Sequence, residues 1–568
     1  MLTISSLSFI LVVSLSIIMA FPATALKVID LVSNSPSIPT KISVLTCSGL
    51  LNRNLKTEGV YVLLTQPQDS DWLKDIDGIT NPKLTSIPEF LTYCLNSPLV
   101  KGYISYNYST HQASVPNMIT LASVLDAVPL ELNSPFIDQT TLVFDVSTEW
   151  KDYTDYNSTE YMYNNYIDRT TALSIMNPGY DVHGGPARDP PLTQSPNPAL
   201  TDFIVKERLF NFFLNDACIR GTDDYALTKK ITSTVKFPKP IPVYGYNDAW
   251  PIAGDIFEAE TNCNREHDMG QIASDGLSNL AYFSRKEAIT SPVPQNPSPS
   301  IKYKSINTYV SIIIGDGDNL NFLKGTRKDW FRDRLSRCAA ASSSLPSTET
   351  TNCFPLSWSI SPQTLHVAPD WFMWYYNNSY TTKNDYFVLP PSGDLYSYPS
   401  EFSSKNQDNF VASTEKDGLL MSLSGSVHWE WFGHWNKTVK DYFPRYSANK
   451  VIQGFFAVNV PFDLPVAELF GPRDDVLKVA DNVVVFKPRE WRGTVKQKIP
   501  FSRRESLTPT EMAEWLNKQE RGSITAIYVT SDGGGNLDMV YDMVAALDAH
   551  VQVVGTESLI DIALQREA

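Results

Sequence analysis

Apolar and polar positions alternate in two registers along this chain. Short runs rich in β-branched and aromatic residues predict strands at 59–64, 102–106, 141–146 and 241–246. Further runs of that kind stand at 309–314, 356–360, 386–389, 419–424, 454–458, 483–486, 524–530 and 551–554. Between them, apolar residues recur at helical spacing over 87–95, 117–127, 200–215 and 224–233. In the second half the same spacing covers 320–335, 368–377, 508–518, 537–549 and 557–565. Thr508 and Glu511 have the spacing of a capping box, which marks a helix start. The segment 150–198, dense in Tyr, Asn and Pro, reads as loop with little regular structure.

Prolines at 292, 294, 297 and 299 cannot continue a helix or an inner strand, so 291–302 is expected to be an extended linker. It separates an N-terminal α/β domain, 26–290, from a more regular C-terminal domain, 303–568. Eight strands interleaved with helices in the second domain match the size of a (β/α)-barrel, and an open parallel sheet is the competing arrangement. The expected fold class is therefore α/β, an N-terminal α/β domain followed by a (β/α)-barrel-like domain.

An apolar fraction of 42 % supplies large cores, and the formal net charge of −15 disfavours nucleic acid and anionic membranes as partners. Residues 1–25 read as a secretory signal peptide, with an apolar run at 9–18 and a small-x-small site at Ala23-Thr24-Ala25. Secreted, extracellular or lysosomal localisation follows, with no membrane insertion after cleavage. Acceptor sequons at Asn107, Asn157, Asn377 and Asn436 agree with that route. So do six cysteines, which allow up to three disulfides. Cys338 and Cys353, separated by a short Ser/Thr-rich loop, are the expected local pair.

The chemistry is expected at the C-terminal ends of the second-half strands. The run Tyr309-Val-Ser-Ile-Ile-Ile314 ends in Gly315-Asp316-Gly317-Asp318-Asn319, which puts two carboxylates and an amide at a sheet rim. Asp316 and Asp318 are two residues apart and would face one side of an extended chain. Their repulsion would raise one pKa, giving an acid and a base. Ser359, Ser361, Ser392, Gly393, Asp394, His428, Glu430, Asn459, Asp463, Ser531 and Asp532 follow the later strands. A rim of acids suits carboxylate-based glycoside hydrolysis. Glu430, between Trp429 and Trp431, is a candidate second carboxylate, and His428 a neighbouring ligand group. Asp316, Asp318, Asn319 and a histidine would also suit a hard metal, but His428 and His434, six apart, lack the close helical spacing of a deacetylase site. No cofactor is implied: the chain has neither a Walker loop nor a Gly-x-Ser-x-Gly elbow.

The segment Ser392-Gly393-Asp394-Leu395-Tyr396-Ser397-Tyr398-Pro399 resembles the Gly-x-Gly-Tyr-x-Tyr-Pro motif of the GxGYxYP putative glycoside hydrolase family. Gly393, Tyr396, Tyr398 and Pro399 match, and Leu395 replaces the second glycine. Four further segments resemble family elements in the same order: Gly49-Leu-Leu-Asn-Arg53, Tyr244-Gly-Tyr246, Ser274-Asp-Gly276 and Trp358-Ser-Ile-Ser-Pro362. Asp316-Gly-Asp-Asn319 takes its place among them. The resemblance implies an N-terminal α/β domain, a barrel-like C-terminal domain and a carbohydrate ligand. The expected reading is a glycoside hydrolase with catalytic Asp316, Asp318 and Glu430. Asn319, Trp358, Gly393, Asp394, Tyr396, Tyr398 and His428 would bind substrate. The alternatives are a glycan-binding surface protein without catalysis and a metal-dependent polysaccharide deacetylase.

Overall fold

The computed structural model describes residues 26–55, 59–176, 198–214, 216–234, 236–246, 264–274, 276–343, 353–431, 433–458, 476–491, 507–530 and 536–567. The expected signal peptide lies outside these residues, as do Asp275, Asn459, Asp463, Ser531 and Asp532.

The N-terminal half is a set of parallel ladders covered by helices. Strands β1 (Lys27–Asp30) and β2 (Val60–Leu63) pair with each other. β3 (Gly102–Tyr106) lies between β4 (Ala127–Glu131) and β5 (Leu142–Asp145). β6 (Leu173–Met176), β7 (Phe210–Phe212), β8 (Ile241–Tyr246) and β9 (Met269–Ile272) form a sheet in the order β7-β6-β8-β9. Two sequence expectations are corrected here. The segment expected to be loop holds the helix Asp155–Tyr166, with a capping box at Thr154 and Asn157, and strand β6. The helix expected over 200–215 ends at Glu207 and gives way to β7.

The early Gly-Leu-Leu-Asn-Arg element lies at the end of the helix Ile38–Asn52 and serves packing. A Cβ on Gly49 would stand 2.4 Å from the Asp202 carbonyl oxygen, so only glycine lets the helix Thr201–Glu207 approach. Arg53 donates to Asp126 (2.5 Å) and to the Ser123 carbonyl (2.9 Å), closing off neighbouring helix ends.

The C-terminal half contains β10 (Thr308–Ile314), β11 (Leu356–Ser359), β12 (Asp385–Val388), β13 (Gly425–His428) and β14 (Gly454–Ala457). β15 (Val476–Ala480), β16 (Val483–Phe486), β17 (Arg489–Trp491), β18 (Ile524–Val529) and β19 (Val551–Val553) follow. One sheet runs β12-β11-β10-β18-β17, with β19 also on β10, and a second runs β13-β14-β16-β15. All of these ladders are parallel except β15 on β16. Among the described residues the hydrogen-bonded ladders thus form two sheets, with no closed sheet between them. The strand expected at 419–424 falls on the end of the helix Ser404–Met421, and the strand itself begins at Gly425.

All seven residues of β10 are buried, as a strand paired on both sides and covered by helices requires. The Pro-rich segment has no regular structure but straps the C-terminal half. Buried Asn296 donates to the carbonyls of Ser379 (2.8 Å) and Asp385 (2.9 Å), and Gln295 accepts from Phe387 N–H. Disulfides join Cys47 to Cys94 and Cys338 to Cys353, and Cys218 is also disulfide-bonded.

Candidate functional site

The turn after β10 is held so tightly that its sequence follows from its neighbours. A Cβ on Gly315 would stand 2.2 Å from the Tyr528 ring, and one on Gly317 would stand 1.9 Å from the Ser359 carbonyl oxygen. Both glycines are therefore dictated by close approach, from β18 on one side and β11 on the other. Gly317 N–H also donates to Ser359 Oγ at 2.8 Å, and that hydroxyl donates to the Ile314 carbonyl at 3.0 Å. Asp316 between them adopts a left-handed backbone, φ 58°.

The two carboxyls of this turn differ in surroundings. Asp316 Oδ2 accepts from Arg327 Nη2 at 3.2 Å, and Oδ1 accepts from Tyr528 Oη at 3.3 Å. Its N–H donates to the same phenol oxygen at 2.8 Å. Asp318 is pushed up to about 7, first by burial and then by the neighbouring Asp316 carboxylate. Backbone N–H groups of Asp318 and Asn319, and the charge of Arg327, act against that rise. Asn319 caps the helix Leu320–Lys324, its side-chain oxygen accepting from Asn321 N–H at 2.9 Å. Leu320 N–H donates to the Ala273 carbonyl at 2.9 Å, which brings the end of β9 against this rim.

The Gly393–Pro399 segment lies where the two halves meet. Tyr396 and Gln271 exchange backbone hydrogen bonds of 2.9 and 3.1 Å, so the segment adds an antiparallel bridge to β9. Gly393 has φ 108° and faces Thr414 where a Cβ would go. Leu395, in place of the family's second glycine, is 3 % exposed and fills the space over Gly270, where a Cβ would lie 2.6 Å from its own. The departure is thus absorbed by a glycine in the other half. Leu395→Gly should then destabilise the protein by about 2–5 kcal/mol, the cost of emptying a buried leucine site, and glycine adds backbone entropy. Chemical denaturation measures it, and a loss below about 1 kcal/mol would contradict the packing argument.

Asp394 accepts from Gln363 Nε2 at 2.8 Å and faces Asp417 on the helix Ser404–Met421. Burial pushes Asp394 up to about 6, and Asp417 rises well above the usual carboxylate range through burial and the Asp394 charge.

Glu430 and His428 form a separate buried group after β13. Glu430 Oε2 accepts from Ser400 N–H at 3.1 Å, and Oε1 accepts from Trp431 N–H at 3.0 Å. His428 Nε2 stands 3.5 Å from Glu430 Oε2, its ring enclosed by Trp435, Tyr442, Phe443 and Phe455. Burial lowers its pKa, so the ring is neutral at pH 7. Tyr396 and Trp429 are half-buried with ring centroids 6.1 Å apart, and buried Tyr398 stands 6.1 Å from Trp431. Trp358 lies in the core, donating from its indole to Asp385 at 2.8 Å beside the buried Arg334–Asp385 pair.

The structure thus gathers Asp316, Asp318 and Asn319 in one turn. It places Asp394 with Tyr396 after β12 of the first sheet, and His428 with Glu430 at the end of β13 of the second. Arg327 and Tyr528 belong to the first group and were not among the expected site residues. An arginine inside an amphipathic helix and a tyrosine inside an apolar strand read from sequence as surface and core. Among the described residues, no cluster of three or more His, Cys, Asp or Glu is arranged to hold a metal. A depression of about 330 Å³, lined by Asp30, Asn34, Thr85 and Ser86 among others, lies in the N-terminal half and contains none of these groups.

Comparison with known proteins gives a family and a fold. Residues 307–563 match the family described as GxGYxYP putative glycoside hydrolase C-terminal domain. The whole chain is similar to a solved structure, described as a putative hydrolase from Bacteroides thetaiotaomicron VPI-5482, at 19 % identity and a TM-score of 0.70. That likeness covers 95 % of each chain and is one of fold. No curated protein matches the sequence.

Proposed function

Because residues 307–563 belong to the GxGYxYP putative glycoside hydrolase family, we propose that this chain is a secreted glycoside hydrolase working at the rim after β10. Asp318 is the general acid that protonates the leaving glycosidic oxygen, and Asp316 is the ionised carboxylate beside it. One observation carries this reading: two carboxyls two residues apart lie in unequal surroundings, one paired with a guanidinium and one pushed up to about 7. Carboxyls whose environments separate their protonation are the pattern of acid and base roles in such chemistry.

Glu430 is assigned to fixing the turn at Ser400, just past the Gly393–Pro399 segment, since its oxygens are engaged by the N–H groups of Ser400 and Trp431. The half-buried Tyr396 and Trp429 rings, with Asp394 behind them, form the sugar-binding wall. The two C-terminal sheets are read as parts of one barrel-like arrangement. Leu389 pairs with Ser426 between β12 and β13, and only two residues separate β16 on the second sheet from β17 on the first. Secretion is supported by the disulfide-bonded cysteines described above and by exposed sequon residues Asn157, Asn377 and Asn436, with Asn107 half-buried. No described helix is long and apolar enough to cross a membrane.

The test is a panel of 4-methylumbelliferyl glycosides covering the common pyranosides. At least one should be cleaved, with kcat/KM falling as pH rises through about 7, because the acid must carry its proton. If no glycoside is cleaved while a glycan array is bound, the protein is a binding module. Turnover that disappears with chelator and returns with a divalent metal would favour the deacetylase class.

A further inference from the structure

We propose that Arg327 and Tyr528 are the positioning residues of this rim, fixing Asp316 as the charged member of the carboxyl pair and leaving Asp318 to carry the proton. The inference rests on the hydrolase reading above. It answers a question the geometry raises: why two aspartates so close in one turn take different roles.

Arg327 is 1 % exposed and grips the turn at two points. Its Nε donates to the Gly315 carbonyl at 2.8 Å and its Nη2 to Asp316 Oδ2 at 3.2 Å, while its guanidinium lies 4.7 Å from the Trp330 ring centroid. A planar fork braced on a carbonyl and stacked on an indole has one orientation, so its charge is aimed and not merely nearby. Tyr528 acts from the opposite side. Its ring occupies the space a Cβ on Gly315 would need, and its hydroxyl meets both the N–H and the carboxylate of Asp316. Burial and the two aspartates hold this phenol well above its usual pKa, so it remains a neutral donor.

The titratable and charged groups facing the guanidinium are Asp316, Asp318, Tyr528 and Tyr375. Tyr375 donates its hydroxyl to the Leu323 carbonyl at 2.7 Å and stays neutral, its pKa raised by burial. The cation of the group therefore comes from Arg327 alone among these, and its hydrogen bonds go to Gly315 and Asp316. Asp318 receives its longer-range field and the backbone N–H groups of Asp318 and Asn319. The assignment of roles follows from where the single guanidinium points.

The experiment compares kcat/KM–pH profiles of wild type, Arg327→Gln, Arg327→Lys and Tyr528→Phe on the 4-methylumbelliferyl glycoside that the wild type cleaves. A second readout needs no substrate: pH-difference infrared spectra of the protonated carboxyl stretch, with Asp318→Asn identifying the Asp318 band. Arg327→Gln should move the alkaline limb and the Asp318 band upward by about one pH unit or more, since a nearby opposite charge is lost. Arg327→Lys should return both most of the way. Tyr528→Phe should also move a limb of the profile, because it removes the hydroxyl that meets both the N–H and the carboxylate of Asp316. Parallel losses of rate with unmoved limbs and an unmoved band would overturn the inference and leave these residues as packing. Should Arg327→Gln fail to fold by circular dichroism, the Tyr528→Phe limb decides, for the inference if it moves and against it if it does not. If the infrared band behaves as expected and no glycoside is cleaved, the positioning inference stands and the hydrolase reading falls.

Discussion

Asp318→Asn is expected to lower kcat/KM by about 10²–10⁴-fold, the usual contribution of a general acid, with substrate binding retained. Asparagine keeps the size of the side chain and an oxygen for the backbone N–H groups of the turn, but it has no acidic proton to transfer. The same substitution should raise stability at pH 8. The folded carboxyl is pushed up to about 7 from an ordinary value of 3.8, so folding takes up a proton between those limits. Stability therefore falls as pH rises through that window, and above about 7 the full cost of a buried, repelled carboxylate is present. Asn removes that cost. A variant that melts later at pH 8 and turns over poorly would show a group held for chemistry at the expense of the fold. Unchanged turnover would remove Asp318 from the mechanism, and an unchanged or lower melting temperature at pH 8 would contradict its burial in the charged form.

Much of this site was legible from residue pattern because the features that build it are local. Strand 309–314 lies within β10, and the Gly-Asp-Gly-Asp-Asn turn follows it as expected. The glycines there look from sequence like turn residues, and the structure gives them a stronger reason, since neighbouring strands leave no room for a side chain. Asn319 reads from sequence as a hydroxyl-binding amide, yet its oxygen is engaged by the helix it caps. Trp358 is expected from sequence to bind substrate, and it lies in the core with its indole on Asp385. The role of Trp358 and the reason for the glycines depend on partners tens of residues away, which no local pattern encodes, whereas the cap at Asn319 is a local feature. The same limit applies to β7, a three-residue strand hidden in an apolar run that also suits a helix. The pairing of the described strands into two sheets is likewise a matter of contacts between distant segments, which strand number and spacing alone do not encode.

The largest stability effect is expected where the N-terminal half grips the helix behind this turn. Asp69, fully buried on the helix Gln68–Asp77, meets Lys324 Nζ at 2.5 Å and accepts from Ser278 Oγ (3.0 Å) and Asn279 Nδ2 (3.2 Å). It also accepts the backbone N–H groups of Leu64 (2.8 Å) and Thr65 (2.6 Å). Asp69→Ala would strand the Lys324 ammonium, 4 % exposed, with the Ser278 hydroxyl at 2.7 Å as its remaining hydrogen-bond partner among the described residues. Removing one partner of a buried pair costs about 3–5 kcal/mol, so the denaturation midpoint should fall accordingly. Adding Lys324→Met should recover part of that loss, because the uncompensated charge and not the missing bond dominates the penalty. A loss under about 1 kcal/mol, or a double variant less stable than Asp69→Ala, would contradict this. Activity should fall with stability in Asp69→Ala and recover with it in the double variant. Lys324 closes the short helix that Asn319 caps, and the indole of Trp72 donates to the Lys324 carbonyl at 2.8 Å. Loosening that helix displaces Asp318, and a shift near 1 Å at a reacting group is enough to cost about 10²-fold in rate. The N-terminal half thus serves the rim mechanically, by fixing the far end of the helix on which the acidic turn is mounted.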